Sequence, residues 1–356
     1  MNFLIGLNMK LKKLGNSDLY VSPYCLGTMT FGEATSEKDS HLQIDQSISY
    51  GVNFIDTAEM YPTCPLRETT TGDTETIVGN WIEKNQSKRS DIILATKISG
   101  KGYKAVRNGE GINEKSIKIA LEGSLNKLKT DYIDLYQLHW PNRGSYHFRQ
   151  NWSYNPTSQE TNIVRDNINS VLEVLADFQK EGKIRSIGLS NETCWGTIQF
   201  LDCMKNFPNL SLASIQNEYS LLCRLYDLDM AELSHHENIG LLAYSPLAGG
   251  FLTGKYLDDK IPKNSRLSKV PSLFGRINDN STLAVKEYIS LAKKYNLDPV
   301  HMSLAFCNQR PFMGSIIFGA TDNLQLTNIL EGMDVVLSDE VMSEINKLYK
   351  KFPITF

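Results

Sequence analysis

The sequence has no excess of basic charge, no long apolar run and no cysteines at metal or redox spacing. Lys and Arg together number 37 against 40 Asp and Glu, a net charge of −3. Such a balance gives neither nucleic acid nor an anionic membrane surface an electrostatic footprint. The longest near-apolar stretch, Ile239 to Leu252, is broken by Ser245 and Pro246 and is too short to span a bilayer. The six cysteines (Cys25, Cys64, Cys194, Cys203, Cys223, Cys307) are scattered, with no C-x-x-C. That reads as reduced, mostly buried thiols, so a cytoplasmic location is expected. The opening octet MNFLIGLN lacks a basic n-region and a clear cleavage site. It reads as a short leader over residues 1–8, ahead of a start at Met9, and not as a signal peptide.

Several chemistries are missing as well. There is no H-E-x-x-H, no Cys/His cluster, no G-x-S-x-G elbow and no Walker A sequence, so no metal is expected. A Rossmann G-x-G-x-x-G is absent too, so any dinucleotide must bind in another way. The single Tyr-x-x-x-Lys, Tyr256 and Lys260, follows no Gly-rich first strand and reads as chance.

What is present is ordinary globular composition, 41% hydrophobic and 22% charged over 356 residues. After a Gly-bearing hairpin (Leu11 to Val21, turn near Gly15–Asn16), eight short apolar runs follow: Ser22–Gly27, Asn53–Thr57, Ile92–Lys97, Tyr132–His139, Ile184–Ser190, Ser214–Glu218, Gly240–Ser245 and Ser315–Gly319. They are continuous, not alternating, as suits strands buried on both faces of a parallel sheet. Helical patterns lie between them. Ile117, Leu121, Leu125 and Leu128 share one face, as do Ile168, Leu172, Leu175 and Phe178, and Gly182 then sits where a helix ends. Repeated βα units with no composition break predict one α/β domain over residues 9–356, a (β/α)₈ TIM barrel with an N-terminal hairpin ahead of it.

Three segments exceed plain connections: Glu59–Thr74, Ser99–Asn113 and Trp140–Arg165. Each follows a strand, so in a barrel each emerges at the C-terminal face, where such folds carry function. The third holds Trp140, Tyr146, Phe148, Trp152 and Tyr154. Trp140 and Trp152 are therefore expected to wall a substrate pocket.

The strand ends carry the chemistry. FIDTAEMY ends a strand at Asp56 and places Tyr61 five residues on, ILATK ends in Lys97, and IDLYQLHW brings His139 to the end of the next strand. One such residue would ordinarily be a structural ion pair or a satisfied polar group. Four on three successive strands, spaced ~4.8 Å apart, can converge on one spot. Together they suit proton donation to a carbonyl. A Lys97 ammonium would lower the ~10 pKa of the Tyr61 phenol, and Asp56 would hold Lys97 charged. Neutral His139 could donate a hydrogen bond to the carbonyl oxygen. Such acid chemistry needs a separate reductant, and a nicotinamide is the economical one.

The segments CLGTMTFG, FIDTAEMY, ATK, LYQLHW, GLSNET, IQNEYS, AYSPLAGGFLTGKY and FGAT, in that order, resemble the aldo-keto reductase superfamily. TMTFG, DTAEMYP, TGDTETIVGNW and the HW ending resemble its bacterial Tas-type branch. The resemblance implies an NADP(H)-dependent reductase of aldehydes or ketones on a (β/α)₈ barrel whose bottom is closed by the hairpin. Tyr61 would be the general acid, Lys97 and Asp56 its tuning pair, and His139 the residue orienting the carbonyl. NADPH (NADP+) would be the cofactor and a small carbonyl compound the substrate.

By the same resemblance, Gly27, Thr28 and Met29 would approach the cofactor from the first strand. Ser190, Asn191 and Gln216 would bond the nicotinamide carboxamide, and Tyr244 would stack on its ring. Ser245, Pro246, Leu247, Gly249 and Leu252 would lie along the pyrophosphate. Lys255 and Arg266 would meet phosphate charge, an Arg at the ribose 2′-phosphate favouring NADPH over NADH. Gly319, Ala320, Thr321, Gln325 and Asn328 would form the adenosine end, at a helix start that suits an anion. In the ungapped register Ile329 stands where the family has an adenine-contacting Asn, and Asn328 precedes it by one residue. A second reading is a cofactor-binding regulatory module like the potassium-channel β subunits, which share this barrel. A third, a phosphate-substrate isomerase or lyase, fits Ser190, Asn191, Gln216 and Tyr244 less well.

Overall fold

The computed structural model describes residues 9–356, so the expected leader at 1–8 lies outside the described residues. A two-stranded antiparallel hairpin comes first, β1 (Lys12–Lys13) and β2 (Tyr20–Val21). Eight parallel strands then close into a barrel: β3 (Tyr24–Gly27), β4 (Phe54–Asp56), β5 (Ile93–Ile98), β6 (Ile133–Leu138), β7 (Ile184–Ser190), β8 (Leu212–Glu218), β9 (Gly240–Tyr244) and β10 (Met313–Phe318). Each pairs with its chain neighbour, and β10 closes on β3. This is the (β/α)₈ barrel that the apolar runs predict. One strand, β7, coincides with its run, and the others differ by one to two residues at one or both ends.

Helices alternate with the strands: α1 (Glu37–Ser49), α2 (Asp73–Lys84), α3 (Glu114–Leu128), α4 (Thr161–Lys180), α5 (Cys194–Met204), α6 (Asp229–Glu237), the short α7 (Arg266–Lys269), α8 (Asp279–Lys294), α9 (Pro299–Asn308), α10 (Asn323–Glu331) and α11 (Asp339–Lys351). No helix among the described residues is long and apolar enough to cross a membrane. Local signals fix their ends. Asn113 caps α3 through a reciprocal bond pair with Ser116. At the end of α4, Gly182 adopts φ +75°, Lys183 N–H donates to Phe178 O (2.9 Å) and Gly182 N–H to Gln179 O (3.0 Å). These two bonds satisfy orphan carbonyls and turn the chain into β7.

Among the described residues the two larger apolar cores lie outside and inside the barrel, and a small third cluster of Ala58, Met60, Tyr61 and Val106 sits at its C-terminal face. The outer core fills the space between barrel and helices and includes Ile117, Leu121, Leu172, Leu175 and Phe178. The inner one lies at the barrel floor, where Leu14, Leu19 and Val21 of the hairpin pack on Cys25, Phe54, Ile93, Leu135, Ala213, Leu242 and Ile317. The long segments 59–72, 99–113 and 139–160 all open on the opposite, C-terminal face.

Candidate active site

Strand register brings the candidate residues together. Gly27 pairs with Asp56, Lys97 with Gln137, Ser190 with Gln216, and Tyr244 with both Glu218 and Ile317. The ends of the strands therefore form one ring at the C-terminal face. A cavity of about 1070 Å³ opens above it.

Lys97 is wholly buried, and its Nζ donates to Asp56 Oδ2 (2.6 Å) and to Thr57 O (2.7 Å). The same Nζ lies 4.9 Å from the centre of the Tyr61 ring. Tyr61 and His139 approach edge to face, ring centres 5.8 Å apart, and both line the cavity with Asp56. Burial pulls the Lys97 ammonium down, but the charges and hydrogen bonds of Asp56 and Tyr61 outweigh it, so its pKa is raised. Burial and the Lys97 charge hold His139 well below the usual imidazole value, so the ring is neutral at pH 7. Its Nδ1 is buried with no hydrogen-bond partner among the described residues.

Tyr61 departs from the sequence expectation of a pKa below that of a free phenol. Burial raises it, and the opposing pull of Lys97 does not cancel that rise. The phenol therefore holds its proton at neutral pH, with an ammonium beside it to receive the negative charge that proton loss would leave.

Most residues expected at a cofactor border this cavity: Gly27, Met29, Ser190, Asn191, Gln216, Tyr244, Ser245, Pro246, Leu247, Gly249, Lys255, Arg266, Gly319, Ala320, Thr321, Gln325 and Asn328. Two do not. Thr28 is buried and donates its hydroxyl to Asp56 O (2.9 Å), and Leu252 packs into the outer core. Asn328 and Ile329 both reach the cavity wall, while Ile329 also belongs to the core and the Asn328 carbonyl lies 2.7 Å from His301 Nε2. In the aromatic loop Trp140 and Phe148 line the cavity, ring centres 6.1 Å apart. Trp152 does not line it and is 69% exposed, because its part of the loop turns outward.

Several polar groups prepare the walls. Tyr244 Oη donates to Asn191 Oδ1 (2.8 Å), and Asn191 Nδ2 donates to His139 O (2.9 Å) and Ser190 Oγ (3.0 Å). Asn191 adopts φ +53°, a left-handed conformation that Asn tolerates better than most residues. Among the described residues, Lys255 and Arg266 have no acidic side chain within 4.0 Å. Arg266 Nε is buried with no hydrogen-bond partner among those residues, and desolvation lowers the pKa of its guanidinium. A cation left unmatched on a cavity wall suits an anionic ligand.

Sequence reasoning missed three wall arginines and one amide. Arg149 Nη1 donates to Glu218 Oε2 (2.8 Å), Arg276 Nε to Glu218 Oε1 (2.6 Å) and Arg276 Nη2 to Ser245 Oγ (3.3 Å). Arg143 pairs with Glu192. Gln137, behind the cavity, donates from Nε2 to Asp56 Oδ1 (3.0 Å). Its position two residues before His139 on one strand face was the available signal.

Comparison with known proteins agrees with this architecture. The Aldo/keto reductase family matches residues 23–350. The chain is 40% identical over 349 residues to Protein tas of Escherichia coli (strain K12), covering 97% of this chain and 99% of that protein. A Babesia bovis aldo-keto reductase is 37% identical over 278 residues, 74% of this chain and 97% of its own. A probable voltage-gated potassium channel subunit beta of Oryza sativa subsp. japonica is 28% identical over 355 residues, 97% and 98% of the two chains.

Proposed function

The chain belongs to the aldo/keto reductase family, and from that premise we propose that it is an NADPH-dependent reductase of aldehydes or ketones. One observation carries the reading: a protonated, buried phenol and a neutral imidazole share a cavity with cations that lack acidic partners.

The residues present fit a nicotinamide dinucleotide phosphate. Arg266 and Lys255 offer unmatched positive charge, and Gly249 and Gly250 (φ +70° and +91°) give the backbone freedom for close approach. Tyr244, Ser190, Asn191 and Gln216 would hold the nicotinamide end, and Gly319, Ala320, Thr321, Gln325 and Asn328 the adenosine end. When bound, the reduced cofactor would supply a hydride to the carbonyl carbon of a substrate.

This chain's residues do the rest. His139, neutral because of burial and the Lys97 charge, donates a hydrogen bond to the carbonyl oxygen and polarises it. Tyr61 gives its Oη proton to that oxygen as negative charge develops there. Lys97 stabilises the resulting phenolate, and Asp56 keeps the ammonium charged and in place. Trp140 and Phe148 exclude water from one side and favour apolar or aromatic carbonyl compounds.

The test compares wild type with Tyr61→Phe, which keeps the ring and removes the proton. NADPH and NADH affinities are read by protein-fluorescence quenching, and turnover by absorbance on aldehydes, ketones and quinones. We expect NADPH binding in both proteins and a loss of turnover of about 10²–10⁴-fold in the variant alone. Equal turnover in both would remove Tyr61 from the acid role. The full-length likeness to a protein named as a channel β subunit motivates a second reading, a cofactor-binding regulatory module. NADPH binding with negligible turnover on the whole panel would favour it, and no NADPH binding would refute both.

A further inference from the structure

We infer that Gln137 is a positioning residue that acts with Asp56 to lock the amide of Gln216 in one orientation, leaving only its carbonyl oxygen to meet the ligand in the cavity. The inference rests on the dinucleotide reading above. It concerns a side chain that does not itself border the cavity.

The geometry is a closed triangle. Asp56 Oδ2 is taken by Lys97 Nζ. Asp56 Oδ1 accepts from Gln137 Nε2 (3.0 Å) and from Gln216 Nε2 (2.9 Å). Gln216 Nε2 also donates to Gln137 Oε1 (3.1 Å). Both N–H groups of Gln216 are therefore committed, one to the carboxylate and one to Gln137. All three side chains are buried, so water does not offer an exchange partner.

Amide nitrogen and oxygen have nearly the same shape, so only partners decide which way a glutamine faces. Turning Gln216 over would set its oxygen against two acceptors, Asp56 Oδ1 and Gln137 Oε1. Turning Gln137 over would set its oxygen against the carboxylate and its NH₂ against the NH₂ of Gln216. Neither alternative keeps the hydrogen bonds, and a buried carboxylate makes the penalty larger than a neutral acceptor would. Gln216 borders the cavity and Gln137 does not. A ligand there thus meets an acceptor with no donor to spare.

The chemical consequence is a requirement for an N–H donor. The carboxamide of a nicotinamide has one in its NH₂. A 3-acetylpyridine ring carries a methyl ketone in its place, which only accepts. Against the locked Gln216 the ketone leaves a buried carbonyl oxygen unmatched. Without Gln137 one Gln216 N–H loses its acceptor and the Asp56 carboxylate alone opposes the turned amide, so offering Nε2 to the ketone oxygen costs less than in the native triangle.

The experiment measures Kd of wild type, Gln137→Met and Gln137→Leu for NADP+ and for the 3-acetylpyridine analogue of NADP+, by fluorescence titration of the full chain. Thermal denaturation checks that each variant is folded. We expect wild type to prefer NADP+ by tenfold or more, and the variants to narrow that preference by threefold or more, Asp56 still holding part of the orientation. A merely structural role would weaken both ligands alike and leave the ratio unchanged. Folded variants that keep the wild-type ratio overturn the proposal, as does a wild type that binds the two ligands equally. If neither variant folds, the wild-type ratio alone decides: a tenfold preference supports the locked acceptor and parity refutes it. A wild type that binds neither ligand would instead sink the dinucleotide reading, a distinguishable result.

Discussion

Replacing Asp56 by Asn should expose how the buried ion pair is balanced. In the native protein Lys97 Nζ has the Asp56 carboxylate at 2.6 Å and one backbone carbonyl, and the lysine side chain has no contact with solvent. Asn removes the counter-charge and leaves an ammonium in a site built for two charges. Breaking a buried pair from one side costs about 3–5 kcal/mol, since the remaining charge must be carried or neutralised there. Unfolding entropy of ~2.1 cal/mol/K per residue gives about 0.75 kcal/mol/K for this length, so Tm should fall by about 4–7 °C. The double variant Asp56→Asn/Lys97→Met removes both charges. It should recover at least half of that loss, because an apolar replacement of a whole buried pair is close to neutral. Turnover should stay lost in the double variant, as Tyr61 would lack its ammonium. The assay is differential scanning fluorimetry of wild type, both single variants and the double variant. A single-variant loss below about 1 °C, or a double variant with strictly additive losses, would refute the argument that the pair's stability lies in mutual charge compensation.

Three further outcomes follow from other parts of the molecule. Arg266→Met should weaken NADPH binding by about 10–100-fold, the value of a charged hydrogen bond, while leaving NADH within about threefold; equal losses for both cofactors would remove Arg266 from the phosphate. Burial holds His147 at a pKa of about 4, against 6.5 for a free imidazole. The unfolded chain therefore binds a proton that the folded chain refuses, and stability present above pH 6.5 falls as pH drops toward 4, by about 3 kcal/mol in all. His147→Gln should flatten the slope of urea-unfolding free energy between pH 6.5 and 4, and an unchanged slope would contradict the assignment. Gly79→Ala should cost about 3 kcal/mol, measured by the same unfolding assay, because its Cβ would stand 1.9 Å from Lys127 O where α2 meets α3; a loss under 1 kcal/mol would mean that the two helices can part freely.

The barrel and the ring of strand-end residues were legible because both rest on short-range pattern. Continuous apolar runs mark strands covered on both faces, and the place of Asp56, Lys97 and His139 at the close of their runs is enough to put them at strand ends. What could not be read depends on closure of the ring. Gln137 and Asp56 are 81 residues apart, and Gln216 and Asp56 are 160 apart, yet all three share a hydrogen-bonded triangle. Arg276, Glu218 and Arg149 meet in the same long-range way. Nor does sequence weigh burial against charge: the ammonium beside Tyr61 was evident, but the desolvation that outweighs it was not. In the aromatic loop, composition suggested a wall but not which rings turn inward. Trp140 is held by a hydrogen bond from Nε1 to Lys101 O (3.1 Å), while Trp152 faces outward.

The hairpin at the barrel floor has a consequence for the order of assembly. Its side chains pack on strands as far along the chain as β10, Lys12 Nζ donates to Met313 O (2.7 Å) across 301 residues, and a Cβ at Gly15 would stand 2.3 Å from Ala213 O. Each of these contacts needs a strand that the ribosome makes much later. A nascent chain would hold residues 12–21 in waiting until β10 has emerged, so residues made before the whole barrel are among the last to dock. Sealing of the floor then reports completion of the whole ring. A chain cut short before Met313 would leave Leu14, Leu19 and Val21 without their full seat, marking the unfinished product by an exposed apolar hairpin.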